Sequence, residues 1–311
     1  MNDSQLIHFR WWQQKIGIKK LMQSYDDVEG LIWFDGQMVP WRETKVHVLT
    51  HGLHYASAVF EGVRSYNGKI FKLEEHTKRL LHSANTLGFE LPHSESEINE
   101  ASYEVLKANN IADGYLRPVA WRGSEMMGVS AQACSIHTAI AAWEWPSYFT
   151  PEARLKGIRL QWSKWKRPSP DTIPAKTKAA GLYMICTLSK HEAEAAGFDD
   201  ALMLDWRGRL AEATGANIFL VMDGTLHTPI ADCFLDGITR QTVIGLAKAR
   251  NISTVERIIM PEELAGADEI FVTGTAAEVT PVSQIGDDLR FEVGPVSRQL
   301  IDDYTHTINN Q

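Results

Sequence analysis

Asn67-Gly68 stands between two short apolar runs, in the segment Gly62–Leu73. A two-residue hairpin loop of type I′ needs positive φ at both central positions, and Asn-Gly supplies this at least cost. Asp35-Gly36 interrupts a similar pair of runs, Leu31–Phe34 and Gln37–Val39, and Arg207-Gly208 and Asp223-Gly224 repeat the signal in the second half. These turns predict antiparallel hairpins in both halves of the chain. Helical patterns fall between them, so the expected class is α+β with mixed sheets, not a doubly wound parallel fold.

The helical patterns are specific. Leu80, Leu81, Ala84 and Leu87 recur on one face of a segment beginning near Glu75. Ser94 and Glu97 have capping-box spacing ahead of a helix running to about Asn109. Further helices are expected over 181–197, 240–251, 261–265 and 296–307. Strands are expected over 136–143 and in the runs at 157–165, 200–206, 217–227 and 269–275. The domain reading is an N-terminal extension (1–28) containing a short docking helix or arm, a small domain (29–143), a proline- and aromatic-rich crossing (144–156) and a larger domain (157–311).

At 311 residues, the chain is long enough for two domains with full cores. Its net charge of −8 argues against a nucleic-acid-binding protein. No apolar stretch approaches the roughly 18 residues of a membrane span. Cys134, Cys186 and Cys233 are too few and too scattered for a disulfide framework or a zinc site, and read as buried thiols. Residues 1–20 lack the apolar core and cleavage site of a signal peptide, so the cytoplasm is expected.

Common catalytic signatures are missing. There is no Gly-x-Gly-x-x-Gly and no Gly-x-Ser-x-Gly. Gly62 to Gly68-Lys69 misses the P-loop spacing by one residue, and Ile70 follows where Ser or Thr is needed. His51 and His54 lack a nearby carboxylate and read as structural histidines at a strand end, so no metal is expected. What remains is a set of separate polar residues. Gly237-Ile238-Thr239 opens a helix with apolar Val243, Leu246 and Ala247, and its outward amides suit an anion, although a plain helix start reads the same way. Val272–Ala277 forms a second small-residue turn after a strand. Lys176 and Lys178, spaced by two on an expected strand edge, would share a face, and spacing alone does not choose between them. Glu212 sits among small and apolar neighbours and needs a cationic partner if buried.

Several segments carry a resemblance: His54-Tyr55 with Phe60-Glu61-Gly62-Val63-Arg64, then Glu75-His76-Thr77-Lys78-Arg79-Leu80, then Tyr115-Leu116-Arg117-Pro118. They continue through Asp171-Thr172-Ile173-Pro174, Lys178-Ala179-Ala180-Gly181-Leu182-Tyr183, Glu212 to Phe219, Gly237 to Arg240, and Thr273 to Pro281. In this order, across roughly residues 30–305, they resemble the fold-type IV, pyridoxal-phosphate-dependent aminotransferases, and among them the branched-chain amino acid aminotransferases.

The resemblance implies two α/β domains with pyridoxal 5'-phosphate at their interface. It implies that Lys178 is the Schiff-base lysine, forming the internal aldimine and then moving the proton between substrate and cofactor. Glu212 would pair with the pyridine nitrogen and Tyr183 with the phenolic oxygen. Arg79, the amides of Ile238 and Thr239, and the Thr275 hydroxyl would hold the phosphate. Without the family, Arg79 reads as an i,i+4 partner of Glu75 on a helix surface. Tyr55, Phe60, Val129, Trp145, Tyr148 and Tyr183 would line the side-chain pocket. Arg117 would take the glutamate carboxylate, and Tyr115 with the amides of Thr275 and Ala276 the α-carboxylate. The site would be shared in a homodimer or higher assembly, with Tyr55 and Val129 crossing between subunits.

The implied reaction is ping-pong transamination of L-leucine, L-isoleucine and L-valine with 2-oxoglutarate or L-glutamate. D-amino acid or amine transaminases and 4-amino-4-deoxychorismate lyases use the same scaffold. The former are expected to carry a pattern such as Arg-x-His where this chain has Tyr115-x-Arg117. Three departures stand out. Arg122, Glu125, Met126 and Met127 occupy a pocket-bordering loop expected to be smaller and more apolar. Ala213, Thr214 and Ala216 replace a glycine-rich, Glu-containing version. Residues 1–28 have no counterpart in shorter members and are expected to be a passive arm.

Overall fold

The structure is a computed structural model describing residues 24–145 and 155–311. The expected N-terminal arm and most of the expected crossing lie outside the described residues, as does Tyr148.

The first sheet contains β1 (Leu31–Phe34), β2 (Gln37–Pro40), β3 (Ala58–Phe60), β4 (Val63–Tyr66), β5 (Lys69–Ile70), β6 (Gly114–Arg122) and β7 (Ile136–Glu144). Its order is β2-β1-β7-β6-β4-β5, with β3 also on β6, and every pairing is antiparallel. The turns between β1 and β2 and between β4 and β5 hold Asp35 (φ 47), Gly36 (φ 89), Asn67 (φ 51) and Gly68 (φ 78), the positive angles expected of these dipeptides. Helices Leu73–Thr86 and Glu95–Ala108 cover one face, burying Leu80, Ala84, Ile98 and Val105. The second begins with the expected capping box on Ser94 and Glu97.

The second sheet contains β8 (Ile158–Trp162), β9 (Asp200–Leu204), β10 (Leu210–Ala213), β11 (Asn217–Met222), β12 (Thr225–Pro229), β13 (Thr254–Arg257), β14 (Glu269–Gly274), β15 (Glu278–Ile285) and β16 (Leu289–Arg290). Its order is β10-β9-β8-β15-β14-β11-β12-β13, with β16 on β15. Here the pairing is mixed: β8 runs parallel to β9 and β15, and β12 parallel to β13. A Glu212–Asn217 pairing also joins β10 to β11 and closes part of the sheet on itself. Helices Met184–Ala195, Ile238–Ala249 and Pro295–Asn309 accompany it. The core around Phe219, Phe271, Leu300 and Tyr304 also takes in Tyr66 and Phe71, so the two sheets share apolar contacts.

Four local expectations change. Pro261–Gly266 is a 3-10 helix, and the segment expected as a helix from 181 starts with a 3-10 turn, Ala180–Tyr183. His51 and His54 lie on a short helix, His51–Tyr55, and their ring nitrogens face the carbonyls of Gly128 and Val48. Lys176 and Lys178 do not share a strand face: the chain turns at Pro174–Thr177, leaving Lys176 exposed while Lys178 enters a cleft. Among the described residues no helix is long and apolar enough to cross a membrane.

Candidate active site

The cleft lies where the two sheets meet. It encloses about 570 Å³ including its open mouth, and its lining includes Arg79, Arg167, Lys178, Tyr183, Glu212 and Thr275. The residues come from distant parts of the chain, and local structure explains how each is presented.

Lys178 is held by its backbone. Its amide donates to Ser83 Oγ (3.0 Å), and its carbonyl accepts from the Phe60 amide (3.1 Å). Ala179 then pairs with Val59 in an isolated bridge. The lysine peptide is thus fixed to the first sheet and its covering helix, while the following segment belongs to the second sheet. Lys178 Nζ donates to the Tyr183 hydroxyl at 2.8 Å and sits 5.1 Å from the Phe60 ring centroid.

Glu212 supplies a buried carboxylate at the far side. Asn217 donates to it at 3.1 Å, and the Arg167 guanidinium approaches within 3.4 Å. Arg167 is the cation that a buried Glu212 needs. The sequence does not single it out, because it lies 45 positions away on a loop, and the demand for a buried cation does not say which one answers. Burial pushes the Glu212 carboxyl up, to about 7, against the pull of Arg167 and Lys178. Burial also raises the Cys186 thiol, to about 11, although Arg167 donates to its sulfur.

Arg79 lies on the helix Leu73–Thr86, one turn before Ser83. The surface pair with Glu75 does not form, because Glu75 bonds Lys72 instead. Arg79 turns inward and forks Glu61, with Nε–Oε1 at 2.6 Å and Nη2–Oε2 at 2.8 Å. His76, on the same helix, bonds Glu61 Oε2 at 2.7 Å.

Two backbone turns line the same cleft as Arg79. Gly237 caps the helix Ile238–Ala249 without a side-chain bond to its first amides. A Cβ at Gly237 would sit 2.2 Å from Asn217 Oδ1, so a larger residue here would push aside the Asn217 side chain that donates to Glu212. Arg240, fully buried, anchors the same helix start to Asp236, Glu256 and the Pro229 carbonyl. Ile238 and Thr239, both buried, reach the lining of the cleft at this helix start. The second turn brings Thr273, Gly274 and Thr275 to the lining, with Thr273 Oγ1 buried and unpartnered among the described residues. Ala276, beyond them, is exposed.

Beside the lysine stands an aromatic wall. Phe60 meets Tyr183 edge-on at 4.8 Å, and Tyr115 packs against Trp143 and Trp145. The Arg117 guanidinium lies over Phe60 (4.9 Å) and Tyr115 (5.4 Å), and its Nε has no hydrogen-bond partner among the described residues. Tyr55 and Val129 are not brought to the cleft within this chain: they lie exposed, with the Tyr55 hydroxyl near the Met127 carbonyl. The 121–129 loop does not put its charges into the cleft. Arg122 turns inward to the carbonyls of Ala131 and Gly88, and Glu125 accepts from the Ser135 amide.

The arrangement can hold an anion at Arg79 and the two turns, a reactive amine in the middle and a cationic or protonated group at Glu212. The family model "Amino-transferase class IV" matches residues 58–285. The "Probable branched-chain-amino-acid aminotransferase" of Rickettsia felis is 44% identical over 282 residues, covering 86% of this chain and 96% of the relative. The "Branched-chain-amino-acid aminotransferase" of Pseudomonas aeruginosa is 42% identical over 284 residues, covering 89% and 92%. Among solved structures, a branched-chain amino acid aminotransferase of T.th. with pyridoxamine 5'-phosphate superimposes with a TM-score of 0.86 at 41% identity, covering 91% of this chain and 95% of that one.

Proposed function

Since the chain belongs to the class IV aminotransferases, and within them to the branched-chain-amino-acid aminotransferases, we propose that it exchanges amino groups between L-leucine, L-isoleucine or L-valine and 2-oxoglutarate. The cofactor is pyridoxal 5'-phosphate. The observation that carries the reading is the line of groups in one cleft: an anion cup, Lys178 with Tyr183, and Glu212 with Arg167.

The donor set fits this cofactor. Arg79 and the amides of Ile238 and Thr239 suit its phosphate, joined by the Thr275 hydroxyl, and Thr273 Oγ1 offers an unsatisfied polar atom nearby. Glu212 suits its ring nitrogen and Tyr183 its phenolic oxygen. When bound, pyridoxal phosphate supplies an electron sink that loosens the Cα proton of an attached amino acid.

The protein's share is positioning and proton transfer. Lys178 anchors the cofactor and, once displaced by substrate, carries the proton. The Tyr183 hydroxyl accepts from the Lys178 amine and fixes its direction. Glu212, drawn toward its ionised form by Arg167, stabilises a proton on the ring nitrogen. Phe60, Tyr115 and Trp145 form the apolar part of the substrate pocket. Arg117 receives the second carboxylate of glutamate, and Tyr115 with the Thr275 and Ala276 amides receives the α-carboxylate.

The exposed positions of Tyr55 and Val129 support an assembly of at least two copies, in which these residues complete the neighbouring site. Leu53, Met127 and Met184 are also well exposed, which suits a covered surface.

A spectroscopic titration of the holoenzyme tests the proposal. L-leucine, L-isoleucine, L-valine and L-glutamate should each convert bound cofactor to its pyridoxamine form. A response to D-amino acids alone, or release of pyruvate from aminodeoxychorismate without amine exchange, would overturn it.

A further inference from the structure

Glu61 is a fully buried carboxylate in the short link between β3 and β4. Its own amide donates to the Pro118 carbonyl at 2.8 Å, so its backbone is tied to β6. Oε1 accepts from Arg79 Nε. Oε2 accepts from Arg79 Nη2 and the Gly62 amide and lies 2.7 Å from His76 Nδ1. Although burial raises its pKa, Arg79 and His76 hold the carboxyl below its ordinary range.

A guanidinium has five N–H donors in a rigid plane. The fork with Glu61 uses two of them, on the Nε–Nη2 edge, and leaves three, one on Nη2 and two on Nη1, on a residue that lines the cleft. Clamping one edge of a planar group fixes the direction of the other. The Arg79 side chain is only 15% exposed, and Glu61 is placed by β6 and by a helix side chain, His76.

We propose that Glu61 is a positioning residue for the cofactor phosphate: it grips the inner edge of Arg79 and aims the outer edge at the two amide turns, with His76 steadying the carboxylate. This rests on the reading of Arg79 as a phosphate anchor. A buried ion pair kept only for the fold would affect cofactor binding in a different pattern. Positioning a phosphate ligand changes affinity for a phosphorylated cofactor and leaves affinity for the same ring without phosphate alone.

The test compares pyridoxal 5'-phosphate with pyridoxal on full-length protein, following cofactor absorbance. Glu61→Gln should weaken pyridoxal phosphate about tenfold and leave pyridoxal unchanged. Arg79→Ala should do the same or more, and the double variant should be no weaker than Arg79→Ala, since Glu61 acts only through Arg79. His76→Gln, which keeps the fork, should show a smaller loss with the same selectivity and serves if Glu61→Gln does not fold. Equal weakening of both ligands, unchanged pyridoxal phosphate affinity in Glu61→Gln, or additive losses in the double variant would overturn the proposal. Unchanged affinity in Arg79→Ala would instead overturn the assignment of Arg79, and this inference with it.

Discussion

Arg167 Nε stands 3.4 Å from Glu212 Oε1, with the two side chains only 5% and 11% exposed. The geometry is that of an ion pair, since Arg167 Nε makes no hydrogen bond among the described residues. Such a pair offsets part of the cost of burying the carboxylate and leaves the rest unmet. The result is an acid poised near neutrality, to which a protonated ring nitrogen would add the missing positive charge.

That imbalance has a sign in pH. A carboxyl with a raised pKa in the folded chain favours folding when protonated. Its contribution is complete below the ordinary value of 4.5 and is lost as pH rises through about 7. The cofactor-free chain should therefore lose about 3 kcal/mol relative to Glu212→Gln across this window. Urea midpoints of both proteins, taken at steps of pH, check this, and parallel curves would contradict it.

Lys178→Ala should lose covalent attachment of the cofactor and at least about a thousandfold in activity, whereas Lys176→Ala should keep both. Borohydride reduction followed by mass analysis reads the attachment directly. The opposite pattern would refute the assignment, which rests on Lys176 being exposed and Lys178 meeting Tyr183.

Arg117→Leu should separate the two half-reactions. Loss of a charged hydrogen-bond donor should lower kcat/KM for glutamate by about ten- to a hundredfold, while leucine changes little. Stopped-flow kinetics with each amino acid measures the split, and equal losses would count against a carboxylate role for Arg117.

Val129→Asp should reduce the assembly by placing charge in an apolar contact, and should raise KM while sparing cofactor affinity. Sedimentation velocity paired with steady-state kinetics tests this. A variant that stays assembled with unchanged KM would argue against a shared site.

Arg240→Ala removes a buried cation that ties a helix start to two carboxylates and a carbonyl. It should cost about 3 kcal/mol in stability and weaken cofactor binding through the displaced Ile238 and Thr239 amides. Denaturant unfolding and cofactor titration measure the two effects. A destabilised variant with full cofactor affinity would show that this helix start does not set the cup.

Local signals are legible in the chain, and non-local partners are not. Asn67-Gly68 and Asp223-Gly224 adopt the expected positive φ because the requirement lies within two residues. The Ser94 capping box is equally local. Helix spacing alone misplaces Arg79, because its partner Glu61 lies on a strand link outside the helix. Arg167 carries no motif, and only the folded cleft identifies it as the partner of Glu212. Spacing leaves the two lysines undecided because a period of two has meaning only in a strand, and the chain turns there.

The backbone clamp on Lys178 bears on how such a chain tolerates change. Upstream, the Arg167 amide is bonded to the Leu204 carbonyl; downstream, the Lys178 peptide is bonded on both sides. Between these fixed points, Pro170, Asp171 and Thr172 are exposed. The position of Lys178 along the cleft is thus set at these two anchors rather than by the length of chain between them, so a change of length in the exposed turn should leave its amine in place.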